Sequence, residues 1–265
     1  MITDELMGKI KSKGIIKIDN FLNTKETSKI QNLIKFYSVP KDDPKSYFPI
    51  NYKSALLKIF TLNLYKFYHS IQIINIEKRK NLLKFSNNFF GKKTKLRYID
   101  AYYSKISNKE ILPWHTDQAY SGKINISNFN NPNDFFLKIF IYLSDVGPGN
   151  GCMSYIPESH KIGYAVRKGI FNKQINYQPY WRLKDFKKII QDNLVYFENY
   201  FKETNILYNF LKKTDDLEKL ESNDSYSYEA KAGSAIIFDE GGVHRGSKPL
   251  HNDRMVLRYM YSRDN

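Results

Sequence analysis

His115-Thr116-Asp117 sets an imidazole and a carboxylate two residues apart, and a lone His244 stands far downstream with Arg254 ten residues beyond it. In a strand, side chains at i and i+2 share a face, so His115 and Asp117 are expected to converge on one ion. His244 supplies a third donor. Two imidazoles and one carboxylate on one face of an octahedron leave the remaining positions open for a co-substrate and oxygen, the ligand set of a non-haem Fe(II) oxygenase. An HxD triplet alone occurs by chance in many chains, so its weight comes from the elements around it.

Upstream, Leu96 to Tyr103 is β-branched and aromatic and reads as a strand feeding the motif. Downstream, Phe135 to Leu143 is almost continuously apolar, the pattern of a strand buried on both faces. Residues 144 to 151 are dense in Gly, Pro, Asn and Asp and lead into the short strand Cys152 to Ile156, which predicts a hairpin with the preceding strand. Gly233 to Asp239 reads as a buried strand, Gly241-Gly242-Val243 as the turn that delivers His244, and Met255 to Tyr261 as the last strand. Ahead of these, Ile15 to Leu22 reads as a short strand followed by a turn, and an amphipathic helix runs from Thr24 to about Tyr37. Helical regions follow at about 54 to 69 and 77 to 90. A further helical stretch, 164 to 227, is read as an insertion between strands, either a lid over the site or packing behind the sheet.

At 265 residues with 42% apolar and 15% aromatic residues, the chain can close one substantial core, and a single domain is expected. That domain divides into an N-terminal strand with supporting helices (1–95), barrel strands (96–160 and 228–262) and the insertion. No stretch approaches the roughly 20 apolar residues of a membrane span, and the N-terminus lacks a signal pattern. Cys152 is the sole cysteine and excludes an internal disulfide. A cytoplasmic location is the expectation. The formal charge of +15 raises the question of nucleic acid, but the lysines are scattered and no nucleic-acid motif accompanies them. Nucleic-acid binding is therefore the weaker alternative, beside a metal-binding jelly roll without catalysis. A small anionic substrate suits the charge better.

Short antiparallel strands with long connections around an interior site predict a mainly β protein with flanking helices, a cupin-like jelly roll or double-stranded β-helix. The run Leu137 to Val146, then Asn150-Gly151-Cys152 and Ile156 to Lys161, resembles the central signature of the phytanoyl-CoA dioxygenase family. Lys231 to Ser234 with His244-Arg245-Gly246-Ser247 and Arg254 resembles its closing block, and Gly14 to Leu22 its opening segment. These blocks occur in the family's order around His115-Thr116-Asp117.

The resemblance implies an Fe(II)- and 2-oxoglutarate-dependent dioxygenase. His115, Asp117 and His244 would hold iron, and Arg254 would take the distal carboxylate of 2-oxoglutarate with its planar fork. Arg258 lies on the same strand face and is the rival anchor. Ser247, Lys138 and Tyr102 are further candidates for the co-substrate. A lysine on a barrel strand is costly to bury unless it meets an anion. Trp114, Gln118, Tyr120 and Arg245 flank the ligands and are candidates for the substrate wall. His160, in the segment 157 to 160, is expected to bond within its loop and not to metal. The implied reaction consumes O2, releases succinate and carbon dioxide, and hydroxylates a C–H bond. Related halogenases carry a small residue at the carboxylate position, so Asp117 favours hydroxylation over halogenation. Desaturation and ring closure would use the same ligands.

Overall fold

The computed structural model describes residues 3–37, 45–57, 64–109, 111–117, 135–177, 182–202, 205–219 and 226–264. Two antiparallel sheets form the centre. The larger is built from β1 (Ile15–Ile18), β8 (Ala235–Asp239), β5 (Leu137–Tyr142), β10 (Arg254–Arg263), β3 (Thr94–Ser104) and β2 (Lys45–Phe48), in that order. The smaller runs β4 (Leu112–His115), β9 (His244–Gly246), β6 (Met153–Tyr155), β7 (Ser227–Tyr228). This is the expected jelly roll. The predicted hairpin is not there: β5 and β6 belong to different sheets, because the glycine-rich 144–151 connection carries the chain across the barrel instead of turning it back.

Strand parity divides the larger sheet into two faces. Leu137, Ile139 and Ile141 on β5, with Leu257, Tyr259 and Tyr261 on β10, face a core shared with the N-terminal helices. The alternate residues Phe140, Tyr142 and Val256 face the barrel interior, where they meet Met153 and Tyr155 of the smaller sheet. Each fully buried Leu, Ile or Phe contributes about 1.5–3 kcal/mol. The continuous apolarity of 135 to 143 thus has its cause in two cores, one on each face.

The helices on the outer face are α1 (Asp4–Lys13), α2 (Thr24–Tyr37), α3 (Tyr52–Leu57), α4 (Leu64–Arg79) and α5 (Leu82–Phe90). Residues 58–63 of the predicted 54 to 69 region lie outside the described residues. The region read as one helix from 77 to 90 is two, since α4 runs on to Arg79 and Asn81 adopts φ 53° before α5. Helix α1 was not foreseen. It is a locally specified helix: the Thr3 hydroxyl accepts from Leu6 N–H, Asp4 and Glu5 occupy its first turn, Lys11 and Lys13 its last, and Gly14 ends it at φ 81°. At the start of α2, Asn23 and Glu26 exchange side-chain to backbone hydrogen bonds in a reciprocal cap.

The insertion comprises α6 (Ser159–Phe171), α7 (Leu183–Asp192), α8 (Leu194–Phe201) and α9 (Asn205–Lys219). It begins five residues earlier than expected, because Ser159 and His160 form the first turn of α6 and not part of a loop. Its apolar stripes pack with Ile156 and Val243 in a third core, against which Trp114 is partly buried. Among the described residues the insertion therefore covers the outer side of the smaller sheet. No helix among them is long and apolar enough to cross a membrane.

Candidate metal centre

One imidazole nitrogen from each of His115 and His244 and a carboxylate oxygen of Asp117 lie within 4.8 Å of one another. The route by which they converge differs from the expected i, i+2 pairing on one strand. β4 ends at His115, and Asp117 lies beyond the last strand pair. What aligns His115 is its pairing with His244 across β4 and β9, with ring centroids 4.5 Å apart. The register shifts between Leu112 and His115, so that both line the interior although they are an odd three positions apart.

Backbone carbonyls orient both rings. His115 Nδ1 lies 2.6 Å from Pro113 O, and His244 Nδ1 lies 2.9 Å from Gly242 O. A carbonyl only accepts, so Nδ1 of each ring carries a proton there and Nε2 is the atom turned toward Asp117. His244 Nε2 then sits 2.9 Å from Asp117 Oδ2, and His115 Nε2 sits 3.9 Å from Oδ1. Two imidazole nitrogens and a carboxylate oxygen turned toward one another are placed to share a cation. The donor set and its outer hydrogen bonds fit a divalent transition metal such as iron. Burial above all lowers the His115 pKa to about 3, which keeps the ring neutral and ready to ligate. Burial opposes the charge on Asp117, but the Lys138 ammonium beside it above all holds its carboxyl well below the usual range.

Glycine places His244. A Cβ on Gly242 would lie 1.9 Å from Tyr155 Oη, so the turn can pass under that ring only without a side chain. Tyr155 in turn donates to Asp239 O and stacks near the His244 ring.

The cavity beside the three ligands is lined by Tyr102, Ile111, Leu112, Lys138, Phe140, Met153, Arg245, Gly246, Arg254 and Arg258. Arg254 and Arg258 share the inward face as expected, and their surroundings separate them. Arg258 is held by Asp100, Nε to Oδ1 at 2.8 Å and Nη2 to Oδ2 at 2.6 Å. Arg254 makes no ion pair among the described residues; its guanidinium lies over the Tyr142 ring, and its buried Nε has no hydrogen-bond partner. Its stem packs on Gly151, where a Cβ would approach Arg254 Cδ to 2.8 Å.

The remaining candidates scatter. Tyr102 lines the cavity with Arg258 over its ring. Lys138 is at the cavity too, but on Asp117 and Glu240, with Nζ 2.6 Å from Asp117 Oδ2 and 3.2 Å from Glu240 Oε2. Ser247 donates to Cys152 O and does not line the cavity. Trp114 turns outward toward the insertion, whereas Arg245 lines the cavity as expected of a wall residue, with its guanidinium over the Trp114 ring and Nε on Ser154 Oγ. The reason Trp114 turns away is parity: it adjoins the inward-facing His115, and neighbouring strand residues point to opposite faces. His160 Nε2 faces Lys11 O, away from the ligands, and His251 is exposed. Gln118 and Tyr120 lie outside the described residues.

Two residues at the site had not been singled out from the sequence, Asp100 and Glu240. The signal for Glu240 was Lys138 itself, a buried ammonium in need of an anion. Burial pushes the Glu240 carboxyl up to about 7, against the pull of Lys138.

The sequence profile of the phytanoyl-CoA dioxygenase (PhyH) family matches residues 10–255. No curated protein matches the chain in sequence. Similar solved structures include the epimerase SnoN in complex with Fe3+, alpha-ketoglutarate and nogalamycin RO, at 11% identity and a TM-score of 0.57, covering 98% of this chain and 83% of that one. HygX from Streptomyces hygroscopicus, with nickel and 2-oxoglutarate bound, superposes at 12% identity and a TM-score of 0.58, covering 99% and 87%. The alpha-ketoglutarate-dependent carbocyclase SnoK from nogalamycin biosynthesis does so at 12% and 0.57, covering 98% and 84%. At these identities the likeness is one of fold.

Proposed function

The chain belongs to the phytanoyl-CoA dioxygenase family of Fe(II)- and 2-oxoglutarate-dependent oxygenases, and from that premise we propose how its residues share the work. His115, Asp117 and His244 hold the iron, Arg254 takes the distal carboxylate of 2-oxoglutarate, and the reaction hydroxylates a C–H bond of a small molecule. The observation that carries the reading is the contrast between two buried arginines on one face of β10. Arg258 is already neutralised by Asp100, whereas Arg254 faces the cavity without an acidic partner among the described residues and calls for an anion.

When bound together, iron and 2-oxoglutarate supply an oxidant from O2 through oxidative decarboxylation, with succinate and carbon dioxide as products. The protein's part is orientation and exclusion of water. The Pro113 and Gly242 carbonyls fix both imidazoles, and Ile111, Leu112, Phe140 and Met153 supply apolar wall where a substrate would approach. Hydroxylation is the outcome we favour, since Asp117 leaves no ligand position for a halide. The epimerase SnoN and the carbocyclase SnoK share the fold, and stereoinversion or ring closure would draw on the same ligands. An anionic substrate remains the reading that suits the charge of +15.

Anaerobic titration of the metal-free protein with Fe(II) and 2-oxoglutarate tests the assignment. The expected result is the visible charge-transfer band of the chelate, lost in His115→Ala and shifted to much higher 2-oxoglutarate concentration in Arg254→Ala. An unchanged titration in Arg254→Ala would remove Arg254 as the anchor.

A further inference from the structure

Lys138 is 4% exposed, projects from the middle of the larger sheet into the barrel and ends 2.6 Å from a carboxylate oxygen of Asp117. A fixed ammonium at that distance from a metal ligand repels an incoming divalent cation and competes with it for the carboxylate. Some feature of the site must offset this.

Glu240 is placed to do so. It lies one residue beyond β8, is pinned to the start of β5 twice, and is 7% exposed. Its backbone N–H donates to Phe136 O at 3.1 Å, and its Oε1 accepts from Phe136 N–H at 2.9 Å. The second oxygen, Oε2, is left 3.2 Å from Lys138 Nζ. One carboxylate oxygen thus anchors Glu240 to the strand that carries Lys138, and the other holds the ammonium. Asp117, by contrast, has left its strand, and among the described residues His244 and Lys138 are the closest polar contacts that orient it.

We infer that Glu240 is a positioning residue for the metal centre, acting through Lys138: it neutralises and fixes the ammonium, so that Lys138 steadies Asp117 without displacing the metal. The inference rests on the assignment of His115, Asp117 and His244 as ligands. Residues that orient metal ligands from behind typically govern affinity by about 10–100-fold.

Glutamine at position 240 separates charge from scaffold, because its Oε1 can still accept from Phe136 N–H. The experiment is anaerobic titration of the full-length metal-free protein with Co(II), followed by its visible spectrum and by calorimetry, with circular dichroism to establish folding. Binding in the parent protein and its loss in His244→Ala establish the ligand assignment first; a parent that binds Co(II) just as well after that substitution refutes the ligand assignment, not the role of Glu240. With the ligands established, Glu240→Gln is expected to raise the Co(II) Kd about tenfold or more. In a Lys138→Met background the same substitution is expected to change Kd by less than about threefold, since the effect is routed through the ammonium. A Kd unchanged in Glu240→Gln, or raised equally in both backgrounds, overturns the inference. If Glu240→Gln alone does not fold, Lys138→Met against Lys138→Met/Glu240→Gln still decides: equal affinities support a role through Lys138, and a tenfold difference excludes it.

Discussion

Arg258 and Asp100 face one another across β10 and β3 and close a two-point ion pair inside the barrel, with Asp100 fully buried. The pair draws the line between structure and chemistry at this site, because it satisfies the arginine that would otherwise compete for a dicarboxylate. Asp100 also raises the Arg258 pKa despite burial, so the guanidinium is charged at any working pH.

Removing one member of that pair strands the other. Arg258→Ala is expected to lower unfolding free energy by about 3–5 kcal/mol in urea titrations, as for other buried ion pairs broken on one side. Where that variant folds, its affinity for 2-oxoglutarate is expected to stay near the parent's.

Arg254 predicts the reverse pattern. Arg254→Lys keeps the charge but loses the planar fork, and its KM for 2-oxoglutarate should rise at least about tenfold with little change in thermal stability. A large loss of stability with unaltered KM would reassign Arg254 to a structural part.

Gly242→Ala would drive a methyl group into the Tyr155 ring and hydroxyl. Overpacking of this kind costs about 1–3 kcal/mol, and here it also displaces the carbonyl that orients His244. The expected outcome is a lowered melting temperature together with weakened metal binding. Gly8→Ala, in the middle of α1 with open space around the added carbon, is the control: it is expected to leave metal binding unchanged and to raise stability by up to about 1 kcal/mol.

His160 gives a test by pH. Burial lowers its pKa below the ordinary 6.5, with the charge on Asp239 acting in the opposite sense. The unfolded chain therefore binds a proton there before the folded one does, and stability contributed by the neutral ring is present above about pH 6.5 and lost as the pH falls below it. Urea unfolding of parent and His160→Gln at pH 7.5 and pH 5 should show the parent losing more stability than the variant. Equal losses would show that His160 keeps its ordinary affinity for protons in the fold.

The chemistry was legible because it resides in residue types and their order. His115, Asp117, His244 and Arg254 stand out in the chain alone as candidates, the structure brings the first three together, and the apolar run of 135 to 143 announced a strand between two cores. Trp114 was read as a wall residue although strand parity beside His115 already pointed it outward, toward the insertion. That signal lay in the sequence.

Other features were not there to be read. Whether 144 to 151 turns back into a hairpin or crosses to the other sheet depends on which partner strands compete for β6, and these come from residues 227 to 246. The same holds for the choice between two arginines on one face. It was made by Asp100 on β3, more than 150 positions away in the chain, and the satisfaction of Lys138 by Asp117 and Glu240 has the same origin. The sequence by itself determined which donors this protein owns and the faces on which its strands present them, since both follow from side-chain chemistry and a backbone period of two. Only the tertiary structure decided which charges cancel and which remain for a ligand, because a buried ion pair forms between groups that the fold, not the chain, makes neighbours.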